Sequence, residues 1–284
     1  MDAGSPSRTV GGPAIMRAAH QVLDETPLVF VDPVAVGLLD AASREAILSR
    51  RDELQTDRAK HLRSLFVLRS RFAEDELARA CSGGVAQYTL LGAGLDTFAL
   101  RQPPPLRKIR IFEFDWPATQ RAKLERLREL ALSVPGNVRH VPGNLDDNRW
   151  MAALESHGLD MKAPCFFSCL GVSQYLNLEA VDRIFGFVAS LPRKSAIVCS
   201  FVQLDADLTG EDFAESQASA AIAQEVGEPW LTRFNPAALS ARLRDHGYLD
   251  VRVLHPEESQ RRYFEGRRDG LHAPRFELVL SAAM

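Results

Sequence analysis

The run Gln87-Tyr88-Thr89-Leu90-Leu91-Gly92-Ala93-Gly94-Leu95-Asp96-Thr97 constrains the fold more than any other stretch. β-forming and apolar residues lead straight into two glycines one residue apart, the pattern of a buried parallel strand that ends where a ligand lies on bare backbone. Gly92 and Gly94 permit a tight turn, and the amides near Asp96 and Thr97 are expected to open a helix facing the crevice. A second signal lies downstream. Lys108 to Asp115 reads as another strand, and its closing acid stands about 20 residues beyond the glycines, where a ribose diol sits in nucleotide-binding α/β folds.

A dinucleotide site would place a third glycine three residues after Gly94, where this chain has Thr97. Asp96 also disfavours a pyrophosphate, because an acid in the turn repels phosphate and accepts an ammonium. A cofactor with a ribose diol, an α-ammonium and no phosphate fits both residues, and S-adenosylmethionine has those groups. An NAD(P)-dependent oxidoreductase is the less favoured enzyme reading. A binding protein without turnover is the alternative from another class.

With 284 residues, 46% of them hydrophobic, the chain can bury a full core. Its net charge of −3 and its interleaved arginines and acids argue for solvated helix faces rather than a nucleic-acid surface. Cys81, Cys165, Cys169 and Cys199 form no metal-ligand pattern and read as reduced core thiols, and no metal is expected. No run approaches the roughly 18 apolar residues of a membrane span, and no leader is evident at the start, so a cytoplasmic protein is expected.

Residues 1–12, rich in Ser, Gly and Pro, read as disordered. Residues 13–84 read as a helical cap that contributes to the cofactor and substrate site, with a long helical block from Ser43 to Ala80. Residues 85–284 alternate strand and helix and end in a two-strand pair. That pattern predicts an α/β core with a seven-stranded, mostly parallel sheet and one antiparallel edge strand. Residues 205–230 interrupt the alternation and are expected to form a lid-like insertion.

Several co-linear motifs carry a family resemblance. DPVA at 32–35, LGAGLDTFALR at 91–101, FEFDWPATQRAK at 112–123, FFSCLGVSQYL at 166–176, GEPW at 227–230 and RRYFEGRRDGL at 261–271 together resemble the leucine carboxyl methyltransferase-like superfamily. The likeness is to its bacterial branch of class I, Rossmann-like S-adenosyl-L-methionine-dependent methyltransferases. It implies that Arg69, or Arg71 two residues on, meets the cofactor's carboxylate. Gly92, Ala93, Gly94 and Asp96 would line its methionine end, Asp115 and Trp116 its ribose, Asn144 and Leu145 its adenine, and Leu170 the end of the fourth strand. Asn144 stands where the family usually has an acid. Leu170 replaces a Glu that the protein-methylating members carry, which argues against a protein tail as substrate.

O-methylation of a carboxylate or hydroxyl on a small metabolite is the resulting expectation, with catalysis mainly by positioning. Tyr175 and Tyr263 are the weak side-chain candidates for a catalytic role. Tyr248 reads as packing, and His20 and His140 as ordinary imidazoles. No motif encodes the acceptor or the oligomeric state.

Overall fold

In the computed structural model, which describes residues 7–284, five helices precede the first strand: α1 (Gly11–Leu23), α2 (Ala35–Leu38), α3 (Ala41–Ser49), α4 (Arg51–Leu54) and α5 (Asp57–Ser82). The block expected from Ser43 to Ala80 is therefore broken. Thr56 interrupts it by capping α5, its hydroxyl accepting from the Ala59 amide.

The core then runs β1 (Gln87–Leu91), α6 (Phe98–Arg101), β2 (Arg110–Asp115), α7 (Pro117–Glu129), β3 (Val138–Pro142), α8 (Trp150–Ser156), β4 (Phe166–Cys169), α9 (Leu178–Ser190) and β5 (Ala196–Val202). It closes with α10 (Gly210–Glu225), α11 (Pro236–Asp245), β6 (Asp250–Leu254), α12 (Pro256–Ser259) and β7 (Glu277–Ala283). The seven strands form one sheet in the order β3-β2-β1-β4-β5-β7-β6. β1 to β5 pair in parallel, as expected, and one strand runs the other way. That strand is β7, which is antiparallel to both β5 and β6 and so lies one place in from the edge. Strand β6 takes the edge itself, because the crossover through α11 returns it parallel to β5 and leaves a gap that β7 fills.

Alternation along each strand divides the core between two faces. Leu91, Phe112, Phe114 and Phe167 pack on one face with Trp150 and Phe185, and Leu90, Ile111 and Phe166 pack on the other with Val67, Phe72 and Leu77 of α5. Helix α5 thus belongs to a layer of the sheet through its second half. Its first half projects past the strand ends, where Leu62, Leu65 and Phe66 join Val202, Trp230 and Phe276. Asp32 of the DPVA motif ties the N-terminal helices to the glycine turn by accepting from the Thr97 hydroxyl at 2.6 Å and pairing with Arg101 at 3.3 Å.

His61, on that first half of α5, is stacked on Phe276 and touches His272 edge-on. Burial, with the adjacent His272, lowers its pKa from 6.5 to about 4. The unfolded chain therefore binds the extra proton first as pH falls, so this contribution is complete above pH 6.5 and is lost towards pH 4. We expect His61 to cost about 2 kcal/mol of stability at pH 5 relative to pH 7. Urea unfolding at the two pH values measures it, and His61→Phe should flatten the difference.

Candidate active site

A cavity of about 380 Å³ opens at the carboxyl ends of β1 to β4, where the strand order reverses between β1 and β4. That is the ordinary ligand position of an open α/β sheet. Arg69, Gly92, Ala93, Gly94, Asp96, Asp115, Trp116, Asn144, Leu145, Leu170 and Tyr175 all line it. Tyr263 does not. Its hydroxyl donates to Asp75 Oδ2 at 2.9 Å beside a different hollow, and Arg71 lies there too, paired with Asp75 and donating to the Val29 carbonyl. Of the two arginines in LRSRF, Arg69 is the one at the cavity.

The glycine turn has the expected backbone. Gly92 and Gly94 have φ of +73° and +44°, and a side chain on Gly92 would collide with Val172. The amides of Gly92 and Ala93 both bond to the Phe114 carbonyl, at 2.9 and 3.1 Å, which folds the turn back over β2. The helix expected after it is a single turn, α6, and its first amide is taken by Asp96 Oδ1 at 2.7 Å. Asp96 is further committed by Arg17, whose guanidinium lies 3.5 Å from Oδ2 and donates to the Leu95 carbonyl. The Phe98 amide and part of the Asp96 carboxylate are thus spent on the turn itself.

Asp115, at the end of β2, is 8% exposed. One carboxylate oxygen accepts from the Gly94 amide at 2.5 Å and the other from the Trp116 amide at 2.6 Å. Burial pushes its pKa up, while those two amides pull it down. A carboxylate has about four acceptor sites, so two remain for a ligand. Pro117, at the first position of α7, needs no amide partner there. Across the crevice, Asn144 Oδ1 accepts from the Asp146 amide, and a side chain on Gly143 would collide with the Phe114 ring.

Arg69 reaches in from α5 with its guanidinium on Gly171, where an added Cβ would come within 2.5 Å of Nη1. Its Nη1 pairs with Glu277 Oε1 at 3.2 Å, and the two side chains are 11% and 3% exposed. Glu277 escapes a reading of the sequence, because one acid at the start of a strand looks ordinary. Lys123 is another such residue: buried on α7, it bridges Glu113 Oε2 at 2.7 Å and the Asp96 carbonyl at 2.8 Å. His140 also contacts Glu113, at 3.3 Å.

The start of the described chain roofs the cavity. Glu228, in the GEPW motif, accepts from Ser7 Oγ and the Arg8 amide at 2.9 Å each, and from both the amide and hydroxyl of Thr9. Val10, next along, covers Gly94. These residues fall within the segment expected to be disordered; residues 1–6 lie outside the described part. The insertion at 205–230 contains helix α10, and Ser219, Ile222, Ala223 and Val226 also line the cavity.

Residues 11–189 match the leucine carboxyl methyltransferase family. The chain belongs to that family. A Bacillus subtilis relative, YktD, named as a candidate S-adenosyl-L-methionine-dependent methyltransferase, is 29% identical, with 94% of this chain and 93% of the relative covered. A Mycolicibacterium gilvum relative with the same description is 33% identical over 67% of this chain and 65% of its own length. Crystal structures of a candidate methyltransferase from Thermobifida fusca and of a DUF574 protein from Streptomyces avermitilis share the fold. Their TM-scores are 0.59 and 0.58, each at 16% identity over 99% of this chain and 96% and 98% of theirs. This member of the leucine carboxyl methyltransferase family thus has a class I methyltransferase fold. Among its described residues no cluster of three metal-ligating side chains occurs, and no helix is long and apolar enough to cross a membrane.

Proposed function

We propose that the chain transfers a methyl group from S-adenosyl-L-methionine to a carboxylate oxygen of a small metabolite. The observation that carries the reading is the pairing of a buried diol acceptor, Asp115, with a cavity-facing guanidinium, Arg69, on opposite sides of the glycine turn. Those groups match the ribose and the carboxylate of the cofactor, and the bare backbone of Gly171 is what lets the Arg69 guanidinium lie against it. When bound, the cofactor supplies a methyl group already activated on a sulfonium. The chain's task is then to hold an oxygen in line with that methyl and to keep water out.

The lining supports a carboxylate over a hydroxyl. No His, Lys or Cys lines the cavity among the described residues, and of its acids Asp96, Asp115 and Glu277 are engaged by Arg17, by the Gly94 and Trp116 amides and by Arg69, which leaves Asp146, beside Asn144 and Leu145. A hydroxyl acceptor needs a general base, whereas a carboxylate is ionised at neutral pH and needs none. Incubation with methyl-labelled cofactor and a panel of acids, alcohols and amines tests this. Label that mild alkali releases as methanol supports an ester. Alkali-stable label on an amine or on nucleic acid would refute it.

The roof makes a separate expectation. Glu228→Ala removes the acceptor for four donors of residues 7–9, each bond to a charged group being worth about 1.5–3 kcal/mol. We expect cofactor release to quicken by about tenfold or more, measured by stopped-flow displacement.

A further inference from the structure

On the β5 and β7 side of the switch point, the cavity has a wall that the cofactor reading does not use. Leu62 and Phe66 of α5, Phe276 and Trp230 pack into one apolar group, with the Trp230 and Phe276 rings stacked at 6.4 Å. Trp230, Gln174 and Tyr175 line the same space. Trp230 Nε1 is buried and unpaired, and so is Oε1 of Gln174, a residue only 3% exposed. The two residues are stitched together, because the Leu231 and Thr232 amides both bond to the Gln174 carbonyl, at 2.6 and 3.2 Å. Tyr175 follows Gln174. Burial raises its pKa, so its hydroxyl stays protonated, and it lies close to Trp230 and Thr9 while the indole N–H remains without a partner of good geometry.

The charges that α5 and β7 bring to this side are already matched. Arg58 pairs with Glu215 at 3.2 Å and Arg69 with Glu277 at the same distance. A phosphate or a second carboxylate would therefore meet no uncommitted cation from α5, and an amine no uncommitted acid from β7. One oxyanion can still be held by neutral donors, here an indole N–H and a phenol O–H.

We propose that the methyl acceptor is a monocarboxylic acid with a compact apolar body, its carboxylate held by Trp230 and Tyr175 and its body packed on Leu62 and Phe66. This inference rests on the carboxyl-methylation reading and goes beyond it by fixing the acceptor's shape and charge. Trp230 and Tyr175 act as specificity-determining residues.

The test is a kinetic series with methyl-labelled cofactor, using straight-chain monocarboxylates of four to eight carbons, with glutarate as the dicarboxylate control. The expected result is a rise in kcat/KM of about fourfold per added methylene until the cavity is full, with glutarate far below pentanoate. Trp230→Phe keeps an aromatic face but deletes the N–H, and Tyr175→Phe deletes the O–H. Each should lower kcat/KM for the best acid by about 10- to 100-fold, mainly through KM, with cofactor affinity unchanged as proof of folding. Turnover of glutarate and butanoate equal to that of octanoate overturns the inference and leaves carboxyl methylation standing. So does a Trp230→Phe, Tyr175→Phe pair with unaltered kinetics. No ester from any acid, or label on amines alone, overturns both.

Discussion

Asp115→Ala should weaken S-adenosyl-L-methionine binding by about 10- to 100-fold or more, the largest loss expected of any single side chain in the cavity. Two effects combine. The substitution deletes the acceptor proposed for the ribose diol, and it also strips the Gly94 and Trp116 amides of their shared partner, loosening the turn from which the methionine end is held. Asp115→Asn keeps an acceptor for one amide and should fall in between. Because burial raises the Asp115 pKa and only the ionised form can accept both diol hydrogens, acidification should erode affinity above the usual carboxylate range. The sign follows from competition: a proton on Asp115 opposes the ligand, so affinity falls as pH falls. Calorimetric titrations across an acidic pH series measure the slope, and Asp115→Asn should remove it. A wild-type slope that persists in Asp115→Asn would assign the effect to another group.

Arg69→Ala should damage stability and binding together. Glu277, 3% exposed, would be left as a buried charge without its partner, which costs about 3–5 kcal/mol in comparable pairs. The cofactor would also lose the guanidinium proposed for its carboxylate, a further loss of about 10- to 100-fold in affinity. Pairing Arg69→Ala with Glu277→Gln separates the two effects. The double variant should regain much of the stability, measured by urea unfolding, and none of the affinity, measured by calorimetry. Arg71→Ala is the control, since Arg71 faces the other hollow on partly exposed Asp75 and should change affinity little. Arg69→Ala with full cofactor affinity would remove the carboxylate contact from the account.

How much of this was legible depends on the distance over which each feature is organised. The glycine turn and Asp115 are written locally, because strand alternation and two glycines fix the backbone within a few residues, and the sheet supplies the rest. Arg69 was legible only through the family motif; as a residue on a helix it looks like any surface arginine, and what distinguishes it is the missing side chain of Gly171. Glu277 and Glu228 had no local mark. Each gains its meaning from a partner more than 200 residues away, Arg69 in one case and the residue 7–9 segment in the other. That long-range clasp is also why Ser7 to Thr9, polar and turn-forming by composition, are held in place.

Other differences are topological. Sequence order gives the terminal strand pair but not the insertion of β7 between β5 and β6, which depends on how the α11 crossover lands. Helix α10 was masked by its Ala- and Ser-rich sequence, which lacks a clear apolar stripe, so the insertion read as a lid without assigned secondary structure. Tyr175 and Tyr263 look equivalent as sequence, yet only the former follows β4, the strand at the switch point, and lines the cavity.

The most direct test of the account is calorimetric titration of the wild-type chain with four ligands: S-adenosyl-L-methionine, its demethylated product, NAD and NADP. The expected result is saturable one-to-one binding of the first two, lost or strongly weakened in Asp115→Ala, and no binding of either nicotinamide dinucleotide. Saturable binding of NAD or NADP with no response to S-adenosyl-L-methionine would contradict it.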